Sequence, residues 1–106
     1  MEFHWTHHAR AKMKFYRLSE QRVRGIINSP KRVEQGIAPA TTAAMQGVGS
    51  KNHPYEIWVM FRKATKNKQQ ETRIISAWRY PGITKPGEPL PEKILQEISE
   101  TEKLKD

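Results

Sequence analysis

A short stretch near the C-terminal part of the chain, RIISAWRY, places arginines among aromatic side chains. Arg79 stands between Trp78 and Tyr80, immediately before a Pro-Gly break. Guanidinium groups pair with phosphates, and flat rings stack on unpaired bases, so this combination suits a nucleic acid. Whether these groups act together depends on which faces of the flanking strands they occupy.

Two long segments, residues 55–64 and 72–80, alternate in the way that is typical of paired strands. The first is apolar on both faces, which is usual for a central strand. We predict that they pair with their most apolar faces together beneath the helices. That covered face would consist of Tyr55, Ile57, Val59, Phe61, Ile74, Ser76 and Trp78. The opposite face, which is aromatic and cationic at once, would consist of Trp58, Met60, Arg62, Arg73 and Arg79.

A second interpretation of the same residues is structural. Trp58 and Met60 would pack beneath a C-terminal helix, and the arginines would be solvated or paired with Glu56 and Glu71. A shift of one residue in the pairing would also exchange the two faces, because successive side chains point to opposite sides of a sheet. The sequence leaves both interpretations open.

The charge of the chain favours a polyanionic partner. Its 106 residues carry a net charge of +8. Residues 1–90 contain sixteen basic and six acidic residues, a net charge of +10, whereas residues 91–106 contain three basic and five acidic residues, a net charge of −2. Such an asymmetry is typical of proteins that bind nucleic acid, an acidic protein or an anionic membrane surface.

Other global features of the sequence indicate where the protein is located and exclude a membrane-spanning helix. No apolar run approaches the roughly 18 residues that a membrane-spanning helix needs. Cysteine is absent, which fits a reducing, cytoplasmic location. We therefore expect a cytoplasmic protein with RNA or the ribosome as its partner, and no membrane.

Two helices are predicted near the N-terminus. An edge strand at residues 2–6 ends at Thr6, which is suited to cap a helix running from about residue 7 to residue 17. Ser19 is suited to cap a second helix at residues 20–28.

The remaining segments predict strands and one further helix. A short strand is expected at residues 31–36 and, more weakly, strand character at residues 38–46. A Pro/Gly-rich connector at 81–91 leads to an acidic helix at 91–103. The chain is therefore predicted to be a single α+β domain over residues 1–106. In it, two N-terminal helices pack on a three- to five-stranded antiparallel sheet, followed by the C-terminal helix.

The first predicted helix has three stripes. Ala9, Met13 and Tyr16 share one face, and Ala11, Phe15 and Leu18 lie nearly opposite. Arg10, Lys14 and Arg17 form a basic row beside the first stripe. The cations predicted to contact nucleic acid are these three and Lys12. Two apolar stripes indicate either a helix packed on both sides or one that unwinds near Phe15.

Histidines open this helix in the sequence HWTHH. The positive end of the helix dipole disfavours a protonated ring at His7 or His8. A neutral imidazole there could act as a general base or acid, or could simply pack or cap the helix. No neighbouring Asp, Glu or Cys completes a ligand set, so we predict no metal site and no cofactor.

Two motifs resemble known families. THHARAKMKFYRLS followed by VRGIINSP is similar to a family of small, poorly characterised domains whose first helix reads His-Ala-x-x-Arg-Met-x-x-Arg-Gly-Ile-Ser. The matching positions are His8, Ala9, Met13, Leu18, Ser19 and Pro30. Lys12 stands at the family's first arginine, and Tyr16 and Arg17 replace its Arg-Gly. RIISAWR resembles the last strand of BrnT-like toxins, with Trp78 at an arginine position. Both groups belong to the RelE/ParE-like superfamily of toxins.

This resemblance covers about residues 3–80 and implies a RelE-like fold. Many members are metal-independent endoribonucleases of toxin–antitoxin pairs that cut messenger RNA, often on the ribosome, and some inhibit gyrase. An antitoxin protein is therefore an implied partner. By position, Arg79 matches the arginine that ends the last strand, Arg62 is a looser match on the preceding strand, and Tyr80 is a candidate for the family's tyrosine.

RNA cleavage by attack of a 2′-hydroxyl needs a base, an acid and cations that stabilise the charged phosphorane. His8 would be the base or acid, Arg79 and Arg62 would stabilise charge, and Tyr80 would be the acid. A second hypothesis is a non-catalytic module that binds nucleic acid or the ribosome. Its contact residues would be Arg73, Trp58, Arg10, Lys12, Lys14 and Arg17. A third is a domain that binds an acidic protein.

Overall fold

The computed structural model describes residues 2–36 and 38–86, which form two helices and five strands. In chain order they are β1 (Glu2–Trp5), α1 (His7–Tyr16), α2 (Glu20–Asn28), β2 (Arg32–Gln35), β3 (Thr42–Gly49), β4 (Pro54–Lys66) and β5 (Gln69–Pro81). The predicted α+β class is confirmed. The predicted helix at 91–103 and the second half of the 81–91 connector lie outside the described residues. No helix in the described part of the chain is long and apolar enough to cross a membrane.

Both N-terminal helices begin at the predicted capping residues. The Thr6 hydroxyl accepts from the backbone N–H of Ala9 at 3.1 Å, and the Ser19 hydroxyl accepts from that of Arg22 at 3.0 Å. α1 ends at Arg17, whose φ of 58° is left-handed. These ends follow from local chemistry, since a side-chain oxygen satisfies a backbone donor that the first helical turn leaves free.

The strands form one mixed sheet in the order β1-β5-β4-β3-β2. β2 to β5 pair antiparallel, whereas β1 pairs parallel to β5, with Trp5 opposite Ile74. The prediction of a purely antiparallel sheet is therefore wrong. A parallel pair needs a long connection between its strands, and here the chain from α1 to β4 provides it.

The sheet buries apolar side chains on both faces. One face packs against the helices, and its cluster consists of Ala9, Met13, Leu18, Val23, Ile26, Ala44, Ile57, Val59, Phe61, Ile74 and Ala77. We call the opposite side the tryptophan face. Its cluster consists of Ala43, Met45, Trp58, Met60, Ile75 and Trp78.

A β-bulge decides which side chains reach which face. β4 and β5 pair with Phe61 opposite Ile74, but the next pair is Met60 opposite Ser76, so Ile75 is the extra residue. An extra residue reverses the alternation of every side chain beyond it. Trp78 therefore lies opposite Trp58 rather than on the helix-covered face as predicted.

The β4–β5 hairpin is longer and tighter than predicted. The two strands pair out to Lys66 opposite Gln69, and two residues, Asn67 and Lys68, form the connection. Their φ values are 51° and 65°, as a type I′ turn requires at both central positions. The strands therefore extend beyond the predicted segments 55–64 and 72–80, because Asn67 tolerates this conformation and Lys68 adopts it without being glycine.

A buried carboxylate fixes the chain just after β5. Glu56 is 2% exposed and accepts from Trp58 Nε1 at 3.0 Å, from Thr84 Oγ1 at 2.7 Å and from the Thr84 backbone N–H at 3.2 Å. Arg32 donates to the Thr84 carbonyl at 3.0 Å and lies 5.2 Å from the Trp58 ring centroid. Because buried charge is costly unless it is hydrogen-bonded, this network holds Thr84 against the tryptophan face.

Candidate nucleic-acid interface

Arg79 anchors the end of α1 to the end of β5. Its side chain is exposed, but Nη2 donates to the Tyr16 carbonyl at 2.9 Å and the guanidinium lies 5.0 Å from the Tyr55 ring centroid. A cation is favourable at a helix C-terminus, where backbone carbonyls lack partners. Arg79, the charged residue between Trp78 and Tyr80, therefore caps the C-terminal end of α1.

Arg62 and Arg73 come together, as predicted, but without Arg79. They pair directly across β4 and β5. By strand alternation Arg62 lies on the same face as Trp58, whereas Arg79 lies opposite Ile57 on the helix-covered side of the sheet. The bulge is the cause, because it lies between Arg73 and Arg79.

His8 and Tyr80 occupy two further, separate places. His8 Nε2 and Ser76 Oγ form a 3.0 Å hydrogen bond, and Ser76 is fully buried. Tyr80 is half-buried opposite Glu56 and packs against the tryptophan face. Since Glu56 and Arg62 are six positions apart on β4, Tyr80 and Arg62 are separated by about 20 Å along the sheet. The four residues predicted for catalysis therefore do not converge on one groove.

Trp58 is not available as a stacking surface. It is 1% exposed and stacks on Trp78, with ring centroids 6.1 Å apart and an angle of 6° between the rings. The prediction that the tryptophan face is open is wrong. The bulge brings Trp78 onto the same face, where both rings belong to one buried apolar cluster.

The cations predicted on the first helix lie on the surface. Arg10, Lys14 and Arg17 are exposed. Arg10 pairs with Glu20 of α2 at 3.4 Å, and the whole segment 10–17 contains four basic residues and no acid. The exposed part of α1 is therefore basic.

Phe15 is exposed on α1 beside Lys12 and was not predicted as a contact residue. Its side chain is 68% exposed, and it meets the Tyr16 ring edge to face at 4.8 Å. Lys12 Nζ lies 5.9 Å from the centroids of both rings. The signal in the sequence was the second apolar stripe: Ala11 and Phe15 are exposed on the helix, whereas Leu18 follows the helix end and is buried in the core.

We call Lys12, Lys14, Phe15, Tyr16 and Arg17 the α1 site. Arg79 fixes its geometry through the Tyr16 carbonyl. The site combines an exposed ring with neighbouring cations, which is the arrangement that binds an unpaired base and its phosphates.

The histidines form no metal site within residues 2–36 and 38–86, where no group of three His, Cys, Asp or Glu side chains is placed to hold an ion. His4 instead lies 3.8 Å from Glu71, across the β1–β5 pair.

No family model, curated protein or solved structure matches the chain. The resemblance to RelE-like toxins thus rests on the sequence motifs quoted above.

Proposed function

We propose that the protein is an RNA-binding module that stacks an unpaired base on Phe15 and contacts the adjoining phosphates with the cations of α1. The observation that carries this proposal is the Phe15 ring, 68% exposed and bordered by Lys12. Sequence-tolerant binding of single strands combines these two elements, an aromatic surface and a basic track.

The energetics favour a ligand at this position. Full burial of a large apolar side chain contributes about 1.5–3 kcal/mol of free energy, which an exposed side chain such as Phe15 does not provide. Stacking on a base recovers part of this free energy, and the neighbouring cations release counterions from the phosphates. Both contributions arise at the α1 site. Trp58 and Trp78, in contrast, are already buried in the core and offer no apolar surface to a ligand.

The alternative activity, metal-independent RNA cleavage by Arg79, His8, Arg62 and Tyr80, needs a base, an acid and cations around one phosphate. Arg62 lies on the tryptophan face and Arg79 on the other, and His8 is bonded to a buried serine. The geometry therefore favours binding over cleavage by this set of residues.

Fluorescence anisotropy with a single-stranded RNA of about 12 nucleotides tests the proposal. Phe15→Leu should weaken binding about tenfold, because one base stack contributes about 1–3 kcal/mol. Phe15→Tyr keeps the ring and should retain the affinity. Val33→Ala is the matched control, since Val33 is also an exposed apolar side chain but lies on β2.

Two outcomes would contradict the proposal. One is an equal affinity of the Phe15→Leu variant and the unaltered protein. The other is degradation of the RNA in EDTA that is abolished by Arg79→Ala, which would instead support the ribonuclease.

A further inference from the structure

The end of the β4–β5 hairpin projects beyond the rest of the sheet. β3 pairs with β4 as far as Phe61, and β1 pairs with β5 only from Glu71 onward. Among the described residues, no strand flanks the hairpin between Thr65 and Gln70 on either side. From Arg62 to the turn this ribbon reaches about 16 Å, at about 3.3 Å per residue.

The ribbon is strongly basic and has no aromatic residue. Residues 62–73 contain five basic residues and one acid, a net charge of +4. Lys63 and Lys68 are exposed, as are the uncharged polar side chains Thr65, Asn67, Gln69 and Gln70. The single acid, Glu71, faces His4 of β1 at 3.8 Å. Phosphate and hydroxyl contacts are therefore available here, but base stacking is not.

Such a surface fits a duplex rather than a single strand. A single strand is held by stacking as well as charge, which the ribbon cannot supply. The minor groove of an A-form RNA stem is wide and shallow and displays 2′-hydroxyls between two phosphate rows. Lysines on the ribbon can reach the phosphates, and its amide and hydroxyl side chains can reach the 2′-hydroxyls.

The position of the ribbon relative to the α1 site favours RNA over DNA. Arg79 marks the α1 site and Gln69 begins the strand after the turn, so about 30 Å of β5 separates the two surfaces. A folded RNA offers an unpaired base and a stem within one molecule, whereas a DNA duplex offers no unpaired base.

We infer that the β4–β5 ribbon lies against the minor groove of an RNA stem while the α1 site holds an unpaired base of the same RNA. This inference extends the proposed function and rests on it for the choice of RNA. The ribbon contact itself does not depend on Phe15.

Binding of the full chain to a blunt RNA duplex, a DNA duplex of the same sequence and a stem with an unpaired overhang tests the inference. The double variant Lys63→Gln/Lys68→Gln should weaken binding to the RNA duplex about tenfold or more at moderate salt. It should also lower the salt dependence by about one unit of slope for each lost contact. Lys63→Arg/Lys68→Arg keeps both charges and should bind as the unaltered protein does.

The matched control is Lys31→Gln/Lys51→Gln, which removes the same charge from exposed lysines outside the hairpin. Equal losses in the two double variants would overturn the inference, because general charge would then explain the binding. So would a failure to bind the RNA duplex, or equal or tighter binding of the DNA duplex.

The failure of this inference can be told from the failure of the proposed function. If Phe15→Leu loses binding to the overhang while Lys63→Gln/Lys68→Gln binds the RNA duplex normally, only the proposed ribbon contact is refuted. If Phe15→Leu binds the overhang normally while Lys63→Gln/Lys68→Gln loses duplex binding, the proposed role of the α1 site is refuted and the ribbon contact with the duplex stands.

Discussion

Two aromatic regions of this molecule lie beside cations, and the fold treats them in opposite ways. The Arg32 guanidinium lies 5.2 Å from the centroid of the Trp58 ring, and Trp58 is buried. Lys12 Nζ lies 5.9 Å from the centroid of the Phe15 ring, but Phe15 is exposed. The chemical pairing is the same in both regions. What differs is the element: central strands bury both faces, but only one side of α1 meets the sheet. An aromatic–cation pair therefore indicates a binding site only where its element leaves the ring uncovered.

The largest expected difference between the two regions is in stability. Trp78→Ala should lower the free energy of unfolding by about 3–5 kcal/mol, as expected for removal of a buried large side chain. Urea denaturation measures this change. Trp78→Phe should cost less, because the buried Trp78 Nε1 has no hydrogen-bond partner among residues 2–36 and 38–86, and its removal relieves an unsatisfied donor. A loss below about 1 kcal/mol for the alanine variant would show that the tryptophan face is not a core.

A smaller loss is expected from the carboxylate that orients the tryptophan face. Glu56→Leu should destabilise the protein by about 1–3 kcal/mol, because Trp58 Nε1 and Thr84 would lose their acceptor while buried. Glu56→Gln retains one acceptor oxygen and should cost less. Equal melting temperatures for Glu56→Leu and the unaltered protein would contradict the described network.

The smallest effect concerns the anchor of the α1 site. Arg79→Gln should cost about 0.3–1 kcal/mol of stability, the usual contribution of a cation at a helix C-terminus. Arg22→Gln, an exposed arginine in the first half of α2, should be nearly neutral when measured in the same way. If the two variants unfold alike, Arg79 does not stabilise the end of α1.

Local features of this fold were predictable because each depends on a few neighbouring residues. Thr6 and Ser19 begin the helices, since their hydroxyls meet backbone donors three residues away. The apolar alternation of β4 likewise identified a central strand. These signals lie within one element and need no knowledge of its partners.

The pairing between elements was not predictable in the same way. Ile75 is the bulged residue, yet neither it nor its neighbours Ile74 and Ser76 is a glycine or another signature of a bulge. The extra residue moved Trp78 and Arg79 to faces opposite to those expected, and with them the expected site. The parallel pairing of β1 was also not predictable, because its partner β5 lies about 70 residues further along the chain.

The exposure of Phe15 lies between these cases. The sequence showed two apolar stripes on α1, and one of them had to lack a partner if the helix packed on one side only. The structure places Met13 against the sheet and Phe15 in solvent. A residue that a helix pattern cannot place in the core is thus a useful signal of a binding surface.

The most direct test of the account is a double-mutant cycle between the Phe15 ring and an RNA base. Affinities would be measured for the unaltered protein and Phe15→Leu, each with a single-stranded RNA and with the same RNA carrying an abasic site at the contacted position. We expect a coupling free energy of about 1–3 kcal/mol, because the ring and the base contribute through the same stack. Additive losses, with the variant equally impaired on both RNAs, would show that Phe15 does not stack a base and would contradict the central claim.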